Sequence, residues 1–121
     1  MGKTILIVDD SESIREVVSA TLENDGYEVL VGVDGVDAQK YLTGQDIGLI
    51  ITDLNMPNKD GIELIKDVRQ TESYKFTPIL LLTTESQAEK KQEAKAAGAT
   101  GWIVKPFVQE KLLATVKKVL R

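Results

Sequence analysis

The 121-residue chain contains no cysteine and no histidine, and only three prolines. Without cysteine it forms no disulfide and no thiolate metal site. Without histidine it has no imidazole acid–base catalyst, no histidine metal ligand and no phosphohistidine of its own. Basic residues are the minority: 15 Lys and Arg against 19 Asp and Glu give a net charge of −4. That balance argues against nucleic acid or an anionic membrane as the main partner, since both select a basic footprint. No apolar run approaches the roughly 20 residues needed to span a bilayer. Met1-Gly2-Lys3 leads into only a short apolar stretch before Asp9, which does not read as an export signal, so the expected setting is the cytoplasm. The length suits a single domain over residues 1–121, large enough to bury a core.

What the chain does have is alternation. Five short β-branched runs, Thr4–Val8, Glu28–Val33, Leu49–Thr52, Pro78–Thr83 and Gly101–Val104, are separated by helical patterns. Four of them ("TILIV", "LIIT", "PILLLT", "WIV") are apolar almost throughout, as strands covered on both faces are. The second, interrupted by Gly32, is expected nearer an edge. Ser13 with Glu16, Asp60 with Glu63 and Ser86 with Glu89 have capping-box spacing, and Asp34 with Asp37 is a weaker version. Gly26 and Gly98 fall where helix C-caps belong. Ile14, Val17, Val18 and Leu22 predict one apolar stripe, and Leu112, Leu113, Val116, Val119 and Leu120 another. The fourth helical pattern, "SQAEKKQEAKAAG", offers only alanines and predicts weak anchoring. Strict alternation with short loops predicts an α/β fold, a five-stranded parallel sheet with helices on both faces, of the flavodoxin-like doubly wound kind.

In such sheets ligands bind beyond the carboxyl ends of the strands. The first strand ends in Asp9-Asp10, the third in Asp53, the fourth in Thr83-Thr84 and the fifth in Lys105-Pro106. Each residue has an ordinary reading alone: the acids as helix caps or turn residues, Thr83 as a strand end, Lys105 as a solvated lysine. Together they predict one rim carrying three carboxylates, two hydroxyls and one ammonium. Two carboxylates about 5 Å apart at an effective dielectric near 20 repel by roughly 3 kcal/mol. A hard divalent cation relieves that repulsion, and Mg²⁺ takes one or two carboxylates with carbonyl and water oxygens. Asn55 could add a backbone carbonyl from the turn after Asp53. Open positions on the ion suit phosphate oxygens, which makes Asp53 a candidate nucleophile toward phosphorus. Lys105 and the Thr83 hydroxyl would then offset the charge that arrives.

The motifs "ILIVDDS", "LIITDLNMPNKDG", "PILLLTTES" and "GATGWIVKPF" span nearly the whole chain. With them the chain resembles the receiver domains of two-component response regulators, and among these the single-domain chemotaxis regulators. The resemblance implies a strand order of 2-1-3-4-5 and an aspartyl-phosphate switch rather than a turnover enzyme. By the same likeness Asp53 is the phosphoacceptor for a histidine kinase of the chemotaxis type. Asp10, Asp53 and the Asn55 carbonyl are Mg²⁺ ligands with Asp9 assisting, and Lys105 pairs with the phosphoryl group. Thr83 and Trp102 are the switch residues, Asn55 and Glu85 tune phosphate lifetime, and the Lys105–Pro106 bond is cis. The implied output is monomeric and reversible, through the fourth helix, fifth strand and fifth helix, onto the flagellar motor switch or another protein. Trp102 stands where the family usually has Tyr or Phe, and Thr84 where it most often has Ala.

Other readings fit less well. A phosphatase of the haloacid dehalogenase type wants an acid two residues after the nucleophile, where Asn55 stands. A flavin site wants amides and hydroxyls after the first strand, where "DDSES" places acids. A phosphorelay intermediate, or a pseudo-receiver that only binds, would share this fold.

Overall fold

Strands that are apolar at nearly every position require cover on both faces, and the computed structural model, which describes residues 4–120, provides it. The export-signal reading of Met1 to Lys3 lies outside the described residues. Strands β1 (Thr4–Val8), β2 (Glu28–Gly32), β3 (Leu49–Thr52), β4 (Ile79–Thr83) and β5 (Gly101–Val104) form one sheet in the order β2-β1-β3-β4-β5. All four pairings are parallel, for example Val8 with Thr52 and Thr83 with Val104. Helices α1 (Glu12–Asn24), α2 (Gly35–Ala38, running on as a 3-10 turn through Tyr41), α3 (Gly61–Gln70), α4 (Ala88–Ala97) and α5 (Gln109–Leu120) connect the strands. This is the flavodoxin-like arrangement, with β2 at an edge as Gly32 suggested.

Alternation along the strands divides the core in two. Leu6, Val8, Ile50 and Leu81 meet Leu64, Ile65, Val68 and Ala94 of α3 and α4 on one face. Ile5, Ile7, Ile51 and Leu82 meet Val18, Leu22, Leu112 and Val116 of α1 and α5 on the other. Among the described residues no helix is long and apolar enough to cross a membrane.

Several local expectations shift. Strand β2 stops at Gly32 because the Val33 N–H leaves the ladder for the Asp37 carboxylate, 2.9 Å away. Strand β4 starts at Ile79, because Pro78 has no N–H, although its carbonyl still accepts from Ile50. The Ser13–Glu16 box is not used: α1 is capped by Ser11, whose hydroxyl accepts from the Ile14 N–H. Nor does Ser86 cap α4, which begins after Gln87 with no side-chain cap; Glu85 has already taken the Gln87 N–H at 3.3 Å. The Asp60–Glu63 box forms in both directions, and Asp34 caps α2. Gly26 and Gly98 both have positive φ, +96° and +120°, at helix ends. Val17 is 46% exposed, outside the α1 stripe that Val18 and Leu22 bury with Ile14 at its margin.

Candidate functional site

The polar rim is built by extending the sheet one residue past each strand. The Asp9 N–H donates to the Gly32 carbonyl (3.1 Å), that of Asp53 to Val8 (2.9 Å) and that of Lys105 to Thr83 (2.8 Å). The parallel register therefore fixes the backbones of Asp9, Asp53 and Lys105 at one end of the sheet. The side chains then converge. Carboxylate oxygens of Asp9, Asp10 and Asp53 lie within 4.8 Å of one another. The Lys105 Nζ lies 2.8 Å from Asp9 Oδ2 and 3.1 Å from Asp53 Oδ2. The Lys105–Pro106 bond is cis.

Further bonds fix the acids. Asp53 Oδ1 accepts from the Leu54 N–H at 2.6 Å, and Asp9 Oδ1 from the Ser11 N–H at 2.9 Å. Arg15 of α1 donates to the Asp9 carbonyl at 2.7 Å. Gly61 lets the start of α3 lie directly under the backbone of Asp53: a Cβ there would fall 2.3 Å from the Asp53 carbonyl oxygen. The turn between them is held by the bond from Asn58 to Asp34 (2.7 Å) and that from the Gly35 N–H to the Lys59 carbonyl (3.1 Å).

The electrostatics follow from burial. Three carboxylates and one ammonium leave two formal negative charges in excess. Burial pushes the Asp9 carboxyl above its ordinary value, and its bonds to Lys105 and the Ser11 N–H offset this only in part. For Lys105 burial acts to lower the pKa, but the bond to Asp9 and the charges of Asp53 and Asp9 outweigh it, so the pKa is raised. Lys105 is thus a firmly held cation between two acids. The donor set is entirely oxygen, and Asp10 is exposed and, among the described residues, accepts no hydrogen bond. An all-oxygen, net negative cluster with one open, solvent-facing ligand fits a hard divalent cation such as Mg²⁺. Both oxygens of Asp9 and both of Asp53 already accept a hydrogen bond, whereas Asp10 offers its carboxylate to solvent.

The remaining candidates form an outer group. The Asn55 amide donates to Glu85 Oε1 at 3.4 Å, bridging the loops after β3 and β4. Thr83 is fully buried, and its hydroxyl accepts from the Glu85 N–H at 3.2 Å. Trp102 lies on the same sheet face as Thr83, its ring against the core below α4 and 5.5 Å from the Lys91 Nζ. It is not part of the acid cluster, and its buried Nε1–H has no partner among the described residues. Sequence reasoning missed Ser11, Arg15 and the Leu54 amide. Two of these contacts are made by backbone N–H groups, which leave no mark in residue identity.

A family model for the response regulator receiver domain matches residues 5–117. A chemotaxis protein CheY homolog from Campylobacter jejuni is 39% identical over 118 residues, which cover 96% of this chain and 91% of that protein. Among solved structures, the Vibrio cholerae chemotaxis protein CheY4 superposes with a TM-score of 0.93 at 54% identity, covering 97% of this chain and 98% of that one. A receiver domain from a Pseudomonas aeruginosa sensor histidine kinase, with magnesium coordinated in its active-site cleft, superposes with a TM-score of 0.90 at 27% identity, covering 99% of this chain and 98% of that one.

Proposed function

Because the chain belongs to the response regulator receiver domain family, whose members are phosphorylation switches, we propose that Asp53 accepts a phosphoryl group from a histidine kinase and that the resulting acyl phosphate switches protein–protein output. The observation that carries this reading is the convergence of Asp9, Asp10 and Asp53 around the Lys105 ammonium. In the transfer, an Asp53 oxygen forms a bond to phosphorus as the bond from phosphorus to the donor imidazole nitrogen breaks, and the imidazole leaves with the electron pair.

Asp10, Asp53 and the carbonyl of Asn55 would hold Mg²⁺, with Asp9 assisting. The bound ion supplies charge neutralisation to the phosphoryl oxygens. The protein's own residues do the rest. The Leu54 N–H fixes the Asp53 carboxylate in one orientation. Phosphorylation removes the carboxylate charge that Lys105 faces, while the phosphoryl group brings about two negative charges, so the ammonium is pre-placed for its new partner. The Thr83 hydroxyl, whose oxygen accepts from the Glu85 N–H, turns to donate its proton to a phosphoryl oxygen, and this reorientation remodels the loop leading to α4. Asn55 and Glu85 flank the path of attacking water and set the lifetime of the signal. Trp102 responds from the adjoining face.

The wider setting is a single receiver domain in the cytoplasm, a monomer acting in chemotaxis through a flagellar motor switch protein, with a chemotaxis-type kinase as donor. The chemotaxis proteins among its relatives support this assignment. Incubation with Mg²⁺ and acetyl phosphate should add the mass of one phosphoryl group and change Trp102 fluorescence. Both changes should vanish in Asp53→Asn. A parent protein that gains neither mass nor signal refutes the reading.

A further inference from the structure

Helix α4 is held very differently at its two ends. Its first turn has no side-chain cap, and residues Ala88 and Glu89 are exposed. Its one buried residue is Ala94, in the second half, with Ala97 and Ala99 half-buried against the core. Beyond the helix the chain is tied down closely. Gly98 and Ala99 N–H groups return to the Ala94 carbonyl at 3.1 and 3.0 Å, and Thr100 exchanges bonds with Ile79 through its N–H (2.7 Å) and hydroxyl (3.0 Å).

The strongest tie comes from another helix. Arg69, near the end of α3, donates to the Gly98 carbonyl through Nε (3.1 Å) and Nη2 (2.7 Å). Its Nη1 donates to the carbonyls of Thr77 (2.7 Å), Tyr74 and Lys75 (both 3.2 Å). The guanidinium is half-buried and, among the described residues, has no carboxylate partner; its fork is spent wholly on backbone carbonyls. The fit is close. Gly98 has φ +120°, and a Cβ there would meet Arg69 Nε at 2.7 Å. Only a planar, five-donor group can bridge carbonyls on the α3–β4 and α4–β5 connections at once; a lysine cannot. Beside this clamp a cavity of about 280 Å³, lined by Lys91, Lys95, Ala99, Thr100, Gly101 and Trp102, leaves space between α4 and the start of β5.

We propose that Arg69 is a positioning residue that makes the α4–β5 turn the fixed end of α4, so that the helix responds to the phosphorylation site by swinging about Gly98 rather than by shifting whole. At 1.5 Å per residue the ten-residue helix is about 15 Å long, so a tilt of about 10° moves its start by roughly 2.5 Å. The moving end is the one joined to Thr83 and Glu85. The swing passes over the cavity beside Trp102, which makes the indole a reporter of the tilt. The clamp is a property of the structure alone, while the signal that drives the swing rests on the phosphoacceptor reading of Asp53.

Amide hydrogen exchange with and without Mg²⁺ and acetyl phosphate, followed by mass spectrometry, tests this on the whole chain. In the parent, amides at 95–99 should exchange at least about tenfold more slowly than those at 91–93, where intrahelical bonding has already begun with Lys91 donating to the Gln87 carbonyl, the factor expected for one hydrogen bond to a charged group. Phosphodonor should alter exchange at 91–93 and leave 95–99 unchanged. In Arg69→Met the gradient should disappear and the Trp102 response should fall several-fold, while the phosphoryl mass gain persists. Arg69→Lys should behave like Arg69→Met. A parent helix that exchanges uniformly, or changes along its whole length with phosphodonor, overturns the proposal, as does an Arg69→Met protein with gradient and Trp102 response intact. If Arg69→Met does not fold, the parent's gradient and its phosphodonor response still decide. Absence of phosphoryl mass gain in the parent would sink the phosphoacceptor reading instead, leaving the resting gradient as the test of the clamp.

Discussion

Replacing Lys105 by methionine removes the one cation that separates two buried acids while keeping most of the side-chain volume. The ammonium is 2.8 Å from Asp9 and 3.1 Å from Asp53, and its side chain is only 11% exposed. Once it is gone, the two carboxylates face each other across no more than 4.8 Å, a repulsion of about 3 kcal/mol at an effective dielectric near 20. Breaking a buried pair from one side typically costs about 3–5 kcal/mol, so a loss of about 3 kcal/mol is expected in Mg²⁺-free buffer, or roughly 10 °C in Tm for a domain of this size. Mg²⁺ should then bind at least tenfold more tightly than to the parent, a gain of about 1.4 kcal/mol, because it becomes the only neutralising charge. Urea unfolding followed by circular dichroism, with and without Mg²⁺, measures both quantities. The pH dependence adds an independent check. Lys105 has a raised pKa in the folded chain, so its stabilisation is fully present below the ordinary value of 10.5 and is lost as pH rises through the higher folded value. Lys105→Met should lack that alkaline loss. A variant as stable as the parent without Mg²⁺, with unchanged Mg²⁺ affinity, would refute the electrostatic account of the site.

Three further perturbations probe its other parts. Asp9→Asn should stabilise the Mg²⁺-free protein at neutral pH, because burial raises the Asp9 pKa and its ionised form is a burden; the gain should shrink as pH falls through that raised value and be gone below 3.8, where Asp9 is protonated in the folded and the unfolded chain alike, and thermal melts across pH measure it. Thr83→Val keeps the shape but leaves the Glu85 N–H without its 3.2 Å acceptor, so it should cost about 1 kcal/mol, retain the phosphoryl mass gain and weaken the Trp102 fluorescence response. Gly61→Ala would set a methyl 2.3 Å from the Asp53 carbonyl oxygen; the forced backbone shift should cost about 3 kcal/mol and weaken Mg²⁺ binding, seen by titrating Trp102 fluorescence.

The elements that sequence revealed are those whose physics is local. Apolar runs gave all five strands to within a residue, and Asp60 with Glu63 formed the box their spacing promised. The acids and Lys105 were legible because topology alone sends strand ends to one rim. Ser13 and Ser86 failed as caps because neighbouring acids compete: Asp9 takes the Ser11 N–H and Glu85 the Gln87 N–H, and each shifts where its helix begins. Val17 was misplaced since its apolar character is real but its helical phase points away from the sheet. Arg69 gave no signal at all, because its partners are carbonyls of residues whose identities do not matter.

The ladder bonds from Asp9, Asp53 and Lys105 to the neighbouring strands have a consequence for how the site is lost. No single strand–helix unit of the chain contains it. The acids and the lysine become neighbours only when β1, β3, β4 and β5 are aligned side by side, over sequence separations of 52 and 96 residues. Metal affinity is therefore a report on global assembly, and a partly unfolded chain has no residual site with which to receive a signal. In a urea titration, Mg²⁺ binding and backbone circular dichroism should disappear in one transition with one midpoint, so a damaged copy of the protein falls silent instead of signalling wrongly.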